Sequence, residues 1–156
     1  MPRRLVRYQQ DHHLHFVTFS CAQRKPYLST PQARDLFERS LETIRLRYTF
    51  EIKGYVIMPE HVHLLVLTYA KAPPKVLLAD AIKALKLSVA VQSQRRPFWL
   101  PRYHDFNVFT QKKRVEKLRS LHRNPVKRGL VPDPAEWPWS SYNHYLTGVQ
   151  GTVQIG

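Results

Sequence analysis

Residues 51–58 and 62–68 are two runs rich in β-branched and other strand-forming side chains, parted only by Pro59-Glu60-His61. So short a break predicts an antiparallel hairpin, and a hairpin at the middle of the chain restricts what its flanks can build. On the N-terminal side, residues 13–20 (HLHFVTFS) mix aromatic and β-branched residues in partial alternation and end at Gln23-Arg24-Lys25-Pro26, which predicts a first strand. Thr30-Pro31 then offers an N-cap followed by proline at the first helical position. Leu36, Phe37, Leu41, Ile44 and Leu46 recur behind it at near-helical spacing to about Tyr48.

On the C-terminal side, Val76, Leu77, Ala81, Ile82, Leu85, Val89 and Val91 follow a Pro73-Pro74 break and predict a second amphipathic helix, with Lys83 and Lys86 on its more polar positions. Arg95-Arg96-Pro97 ends it. Residues 98–110 read as a less regular extended stretch, and residues 111–123 as a short basic helix closed by Asn124-Pro125, because proline disfavours helical geometry in the residue before it. The order strand, helix, strand, strand, helix, strand, helix is the split βαβ pattern. It predicts an α+β, ferredoxin-like (RRM-like) antiparallel sheet with helices on one face, the other face open to ligands, plus a C-terminal basic helix and tail. A chain of 156 residues suits a single domain over 1–156, with a core at about 12–131 and an aromatic, proline-rich tail at 132–156 expected to pack back on it.

Charge narrows the partner. Net charge is +14 and the isoelectric point is near 10.3, so a polyanion is the expected partner. Nucleic acid fits better than a membrane surface, because no helix is free of core duty to lie on lipid. No apolar run approaches the roughly 20 residues of a membrane span, and the basic start Met1-Pro2-Arg3-Arg4 leads into polar sequence, not the core of a secretory signal. The lone Cys21 agrees with a reducing compartment. The expected location is cytoplasmic and nucleoid-associated, with no membrane partner.

Within the hairpin, His61 and His63 are two apart on a strand, so both imidazoles leave one face while Val62 turns into a core. That is chelating geometry for a divalent cation, although alone it is equally what two solvated histidines on a strand edge would give. His13-Leu14-His15 repeats the spacing, but antiparallel pairing should put it at the opposite end of the sheet. Asn124, at the end of the basic helix, could lend an amide oxygen to a hard cation; by itself it is also an ordinary helix C-terminal residue. Ser120, four residues earlier, shares its helix face and alone reads as a solvated serine. Lys112, Lys113, Arg114, Lys117, Arg119, Arg123, Lys127 and Arg128 crowd one segment with Glu116 the only acid, which points to phosphate contact. Tyr103, Phe106 and Phe109 are candidates either for stacking on unpaired bases or for the core.

Tyr55-Val56-Ile57-Met58-Pro59-Glu60-His61-Val62-His63-Leu64-Leu65 resembles the HUH segment (histidine, bulky hydrophobic, histidine) of REP-associated tyrosine transposases, relatives of the insertion-sequence-200-like transposases. His122-Arg123-Asn124-Pro125-Val126-Lys127-Arg128-Gly129-Leu130-Val131, followed by Trp137-Pro138-Trp139-Ser140-Ser141-Tyr142, resembles the C-terminal signature of that family. The resemblance implies an HUH endonuclease domain that binds single-stranded DNA carrying imperfect hairpins (REP-like repeats) and uses Mg²⁺ or Mn²⁺. A tyrosine of the family attacks a phosphodiester, leaving a 5′-phosphotyrosyl bond and a free 3′-hydroxyl. Carried over by position, His61 and His63 become metal ligands and Asn124 a third.

The position of the family tyrosine, four residues before the asparagine, holds Ser120. A serine hydroxyl lies roughly 4 Å closer to its backbone than a tyrosine hydroxyl. Three readings follow: loss of strand cleavage with DNA binding kept, which we favour; rescue by another tyrosine such as Tyr103 or by metal-activated water; and attack by Ser120 itself. The competing class is a hairpin DNA- or RNA-binding module of RRM-like fold with neither metal nor cleavage. A monomer or a homodimer fits the sequence equally.

Overall fold

The computed structural model describes residues 12–69 and 78–156. Strand β1 is His12–Ser20, β2 is Glu51–Ile57, β3 is His61–Tyr69 and β4 is His104–Val108; the helices are α1 (Pro31–Tyr48), α2 (Leu78–Gln92), α3 (Gln111–Lys127) and α4 (Tyr142–Thr147). The strands form one antiparallel sheet in the order β2-β3-β1-β4, the split βαβ arrangement that the central hairpin implied. Of the predicted second helix, Val76 and Leu77 lie outside the described residues, as does the Pro73-Pro74 break.

Local chemistry sets the boundaries. The Thr30 hydroxyl accepts a hydrogen bond from the Ala33 amide, and Pro31 occupies the first turn of α1, where its missing N–H costs nothing. On one face of the sheet, α1 and α2 bury Phe37, Leu41 and Leu85 against Val17, Phe19, Val62 and Leu64. Two residues of the helical patterns stay outside that core: Leu46 and Val91 are 62% and 51% exposed, being on the outer side of their helices, and Ala90 is buried instead.

Two expectations need correction. The second face of the sheet is not open throughout, because α3 and the tail lie across it and bury Val56, Met58, Leu65, Leu121 and Trp137. Nor does α3 stop at Asn124. It continues through Pro125 to Lys127, and the amides of Arg128, Gly129 and Leu130 close it by donating to the carbonyls of Asn124, Val126 and Pro125, with Gly129 left-handed at φ 74°. The steric preference before proline is overridden with the Pro125 ring buried, and glycine supplies the true stop.

Two features fix how α3 sits. Gly54 lies beneath it at a β-bulge, and a Cβ there would come within 2.5 Å of Leu118 Cδ1 and 3.3 Å of Ser141 Oγ. The tail seals the outer edge of β2: the Ile57 amide donates to the Trp139 carbonyl, the Trp137 indole to the Ile57 carbonyl and the Ser141 amide to the Tyr55 carbonyl. Beside that edge, buried Glu38 accepts from the Tyr55 hydroxyl.

Burial pushes the Glu38 carboxyl up to about 7, against the smaller opposing effect of the Tyr55 bond. A raised folded-state pKa means that the folded protein holds this proton longer than the unfolded chain. Its stabilisation is therefore complete below pH 4.5 and is lost as pH rises through about 7. His61, His63 and His122 are shifted downward by desolvation and give the opposite slope, so a difference between two proteins isolates Glu38. Relative to the unaltered chain, Glu38→Gln should gain on the order of 2 kcal/mol of stability between about pH 5 and pH 8, measured by urea unfolding. A constant difference across that range would remove Glu38 as the titrating group.

Among the described residues, no helix is long and apolar enough to cross a membrane. Cys21 is buried and free.

Candidate metal and nucleic-acid site

His61 and His63 share the β3 face that α3 overhangs. His61 is 5% exposed, and its Nε2 stands 3.1 Å from His63 Nε2. The far nitrogen of each ring is fixed: His61 Nδ1 bonds the Glu60 carboxylate at 2.9 Å, and His63 Nδ1 bonds the Thr18 hydroxyl at 2.7 Å. Phe16 stacks on His63 with ring centroids 5.3 Å apart. Because the Glu60 carboxylate can only accept, His61 is protonated on Nδ1 and its Nε2 lone pair is turned into the site, where the Asn124 side-chain amide on α3 stands 3.3 Å away.

Burial is the chief reason both imidazoles lose basicity. For His63 it acts together with the neighbouring His61 and Lys117 charges and brings the group down to about 3, while for His61 the Glu60 bond partly offsets it. Both rings are thus neutral near pH 7, the form that binds metal. Burial also works against the Glu60 charge, but bonds from Arg128 and His61 outweigh it and keep that carboxyl below its ordinary range. A carboxylate behind a histidine is the usual outer support of a metal ligand, since it sets the tautomer and the ring orientation.

The donor set passes a simple geometric test. Two imidazole nitrogens side by side on one cation at roughly 2.1 Å would stand about 3 Å apart, and the observed separation is 3.1 Å. Among the described residues, no three His, Cys, Asp or Glu side chains form a metal cage. A third protein ligand would therefore be an amide, and Asn124 is in place once its side-chain oxygen and nitrogen exchange positions. The other histidine pair is elsewhere: His13 and His15 oppose Thr68 and Val66 at the far end of the sheet, and His15 is engaged by Asp105.

Ser120 is exposed and lines a shallow depression with Glu116, Arg119, Arg123 and Lys127. Tyr103, the first substitute nucleophile by sequence, packs against the α1/α2 core on the opposite face of the sheet. The basic residues do not form one face but surround α3. Lys117 lies over the Phe16 and Phe106 rings beside His63, Arg128 pairs with Glu60, Lys113 pairs with Glu116, and Arg119 and Arg123 point to the far flank. Lys112, Arg114, Arg119, Arg123 and Lys127 have no carboxylate partner among the described residues. Phe106 and Phe109 are 48% and 82% exposed, so neither serves the core.

Sequence reasoning did not single out Glu60, Thr18, Phe16 and His104. Glu60 adjoins His61 in the quoted motif, and a carboxylate beside a candidate ligand was a usable signal. The other three depend on register: Thr18 pairs with both His63 and His104 across β1, which sets all three on one face.

A family model described as "Transposase IS200 like" matches residues 8–119, which takes in the whole sheet but stops one residue before Ser120. The REP-associated tyrosine transposase of Escherichia coli (strain K12) is 25% identical over 128 residues, spanning 82% of this chain and 75% of that protein. Among solved structures, a REP-associated tyrosine transposase bound to a REP hairpin superposes with a TM-score of 0.77 at 19% identity, covering 92% of this chain and 86% of the other. At that identity the likeness speaks for the fold.

Proposed function

Because the chain belongs to the family of IS200-like transposases, we propose that it binds single-stranded DNA folded into imperfect hairpins of the REP type and grips one phosphodiester at a divalent cation held by His61, His63 and Asn124. The observation that carries this reading is the pair of imidazole Nε2 atoms 3.1 Å apart, each ring fixed from behind and both neutral near pH 7. His61 carries its ring proton on Nδ1 toward Glu60, so its Nε2 lone pair meets His63 Nε2 at 3.1 Å only with a proton or a cation between them. Mg²⁺ or Mn²⁺ bound there would polarise the phosphate and offset the charge gathering on its oxygens.

The residues of the chain divide the remaining work. Glu60 and Thr18 hold the two rings in register, and Asn124 ties α3 to them. Lys117 and Phe106 lie beside the site to take phosphate and base, while Lys112, Lys113 and Lys127 extend the phosphate track along α3. Ser120 lacks the reach to attack a phosphorus in line with the leaving group, so the protein binds hairpin DNA and cleaves it poorly. The short hydroxyl on an exposed helix position supports this over cleavage by Ser120, and the packing of Tyr103 against the core on the other face weighs against the first alternative tyrosine.

The test is a titration of labelled hairpin DNA at several salt concentrations, with Mn²⁺ and with chelator. Lysines and arginines that neutralise several phosphates release the cations condensed on the DNA, so affinity should fall roughly 10³-fold between about 50 and 200 mM salt. His61→Ala should abolish the Mn²⁺ contribution and leave the salt slope unchanged. An affinity flat with salt would sink the DNA reading, and a Mn²⁺ effect surviving in His61→Ala would sink the metal site.

A further inference from the structure

On the flank of α3 turned away from the histidine pair, a cleft of about 500 Å³ opens between α3 and α4. Its floor is apolar and aromatic. Val115 and Leu118 line the α3 side, and Tyr142, Tyr145 and Leu146 the α4 side. These are not leftovers of the core: Val115, Tyr145 and Leu146 are 43%, 45% and 62% exposed. The aromatic wall is rigid, because the Tyr145 hydroxyl donates to the Lys53 carbonyl and both tyrosine rings rest on His122, whose Nε2 is bonded to Ser141 Oγ at 2.6 Å. Aromatic rings held rigidly at an open cleft offer a ready surface for a flat ligand to stack on.

The rim selects the ligand's charge. Arg119 and Arg123 border the cleft, Arg114 lies close enough for its charge to act on Tyr145, and none of the residues lining it is acidic. A ligand that matches has a flat apolar part beside an anion. Arg119 and Arg123 also border the depression at Ser120, so the two hollows join over the crest of α3. A strand running from the histidine site to the cleft would cross α3 at exposed Ser120, whose short side chain leaves room for it.

From this continuity we propose that the cleft between α3 and α4 receives one unpaired nucleotide of the same DNA strand, its base against Tyr142, Tyr145 and Leu146 and its phosphate on Arg119 and Arg123. This rests on the DNA reading above and adds to it a second contact, on the opposite side of α3, that only unpaired DNA can make. A duplex base is shielded on both faces by its neighbours and cannot enter, whereas any unpaired base can stack, so the contact should be tolerant of sequence.

Two labelled probes test it: a blunt DNA hairpin, and the same hairpin carrying a short oligothymidine tail at one end or the other. For the unaltered chain, one of the tails should raise affinity roughly tenfold, the order expected for one base stacked on aromatic rings. Leu146→Glu places a carboxylate at the mouth of the cleft from an exposed position; it should remove that gain and leave the blunt hairpin bound as before. Val115→Glu, on the opposite wall, should do the same. The proposal is overturned if neither tail changes affinity, which would leave the cleft to another occupant such as an acidic peptide, or if the gain persists in both variants. An equal loss on blunt and tailed probes overturns it too, since the cleft would then serve the duplex. Failure of the unaltered chain to bind the blunt hairpin at all is a different result, and takes the DNA reading down together with the cleft.

Discussion

With Mn²⁺ present, Ser120→Tyr should trap labelled hairpin DNA as a covalent adduct at no less than about a hundredfold the yield of the unaltered chain. Position 120 is exposed on α3, four residues before the Asn124 that reaches His61, so a longer side chain there is free to turn toward the cation. A tyrosine hydroxyl there stands roughly 4 Å further out than the serine Oγ. Misplacing a nucleophile by about 1 Å already costs around a hundredfold, so the shortfall in the serine protein is decisive. The new bond joins the phenolic oxygen to phosphorus, and the bond to the 3′-oxygen breaks, leaving a free 3′-hydroxyl. A denaturing gel compares Ser120→Tyr, the unaltered chain and Ser120→Ala, each with Mn²⁺ and with chelator. An adduct from the unaltered chain as abundant as that from Ser120→Tyr, and lost in Ser120→Ala, would show serine to be a competent nucleophile.

Gly54→Val should destabilise the fold by about 2–3 kcal/mol and weaken Mn²⁺ binding in whatever protein remains folded. The first added carbon meets Leu118 Cδ1, a side-chain end that can swing aside, so Gly54→Ala should cost only about 1 kcal/mol. The valine methyls have no such relief. They press toward Ser141, which is bonded to His122 and to the β2 backbone, and toward Leu121 in the core. The helix must then lift, and Asn124 moves away from His61 with it. Thermal unfolding with and without Mn²⁺ separates the two effects: the cation should raise the melting temperature of the unaltered chain and do so much less for Gly54→Val. A full Mn²⁺ shift in the valine variant would mean that Asn124 contributes nothing to holding the cation.

These effects mark where sequence reading stops. The hairpin and its two histidines were legible because strand periodicity is local: His61, Val62 and His63 declare their faces without reference to the rest of the chain. The sheet order followed from connection rules. Asn124 could be named but its helix could not be bounded, since the choice between ending at Pro125 and running on to Gly129 depends on what the proline ring packs against. Thr18 and Phe16 are separated from the histidines by more than forty residues and enter the site only through the β1/β3 register. The basic run read as one face because a linear count of lysines and arginines carries no angle. Spread over the turns of α3, it divides into a group beside Lys117 and a group beside the cleft. Gly54 gave no signal, as a glycine in a strand takes its meaning from whatever crosses above it.

The sealed edge of β2 also limits how copies of this molecule can join. A sheet that grows from copy to copy needs two free borders, one to give and one to take. Here the tail occupies one border through Trp139 and Ser141, while the outer border of β4 has no strand partner among the described residues. Among the described strands, β4 is then the one left to pair with β4 of another copy, about a twofold axis. Such a union would use up that border in each copy and halt at a pair, so the C-terminal segment works against open-ended sheet extension.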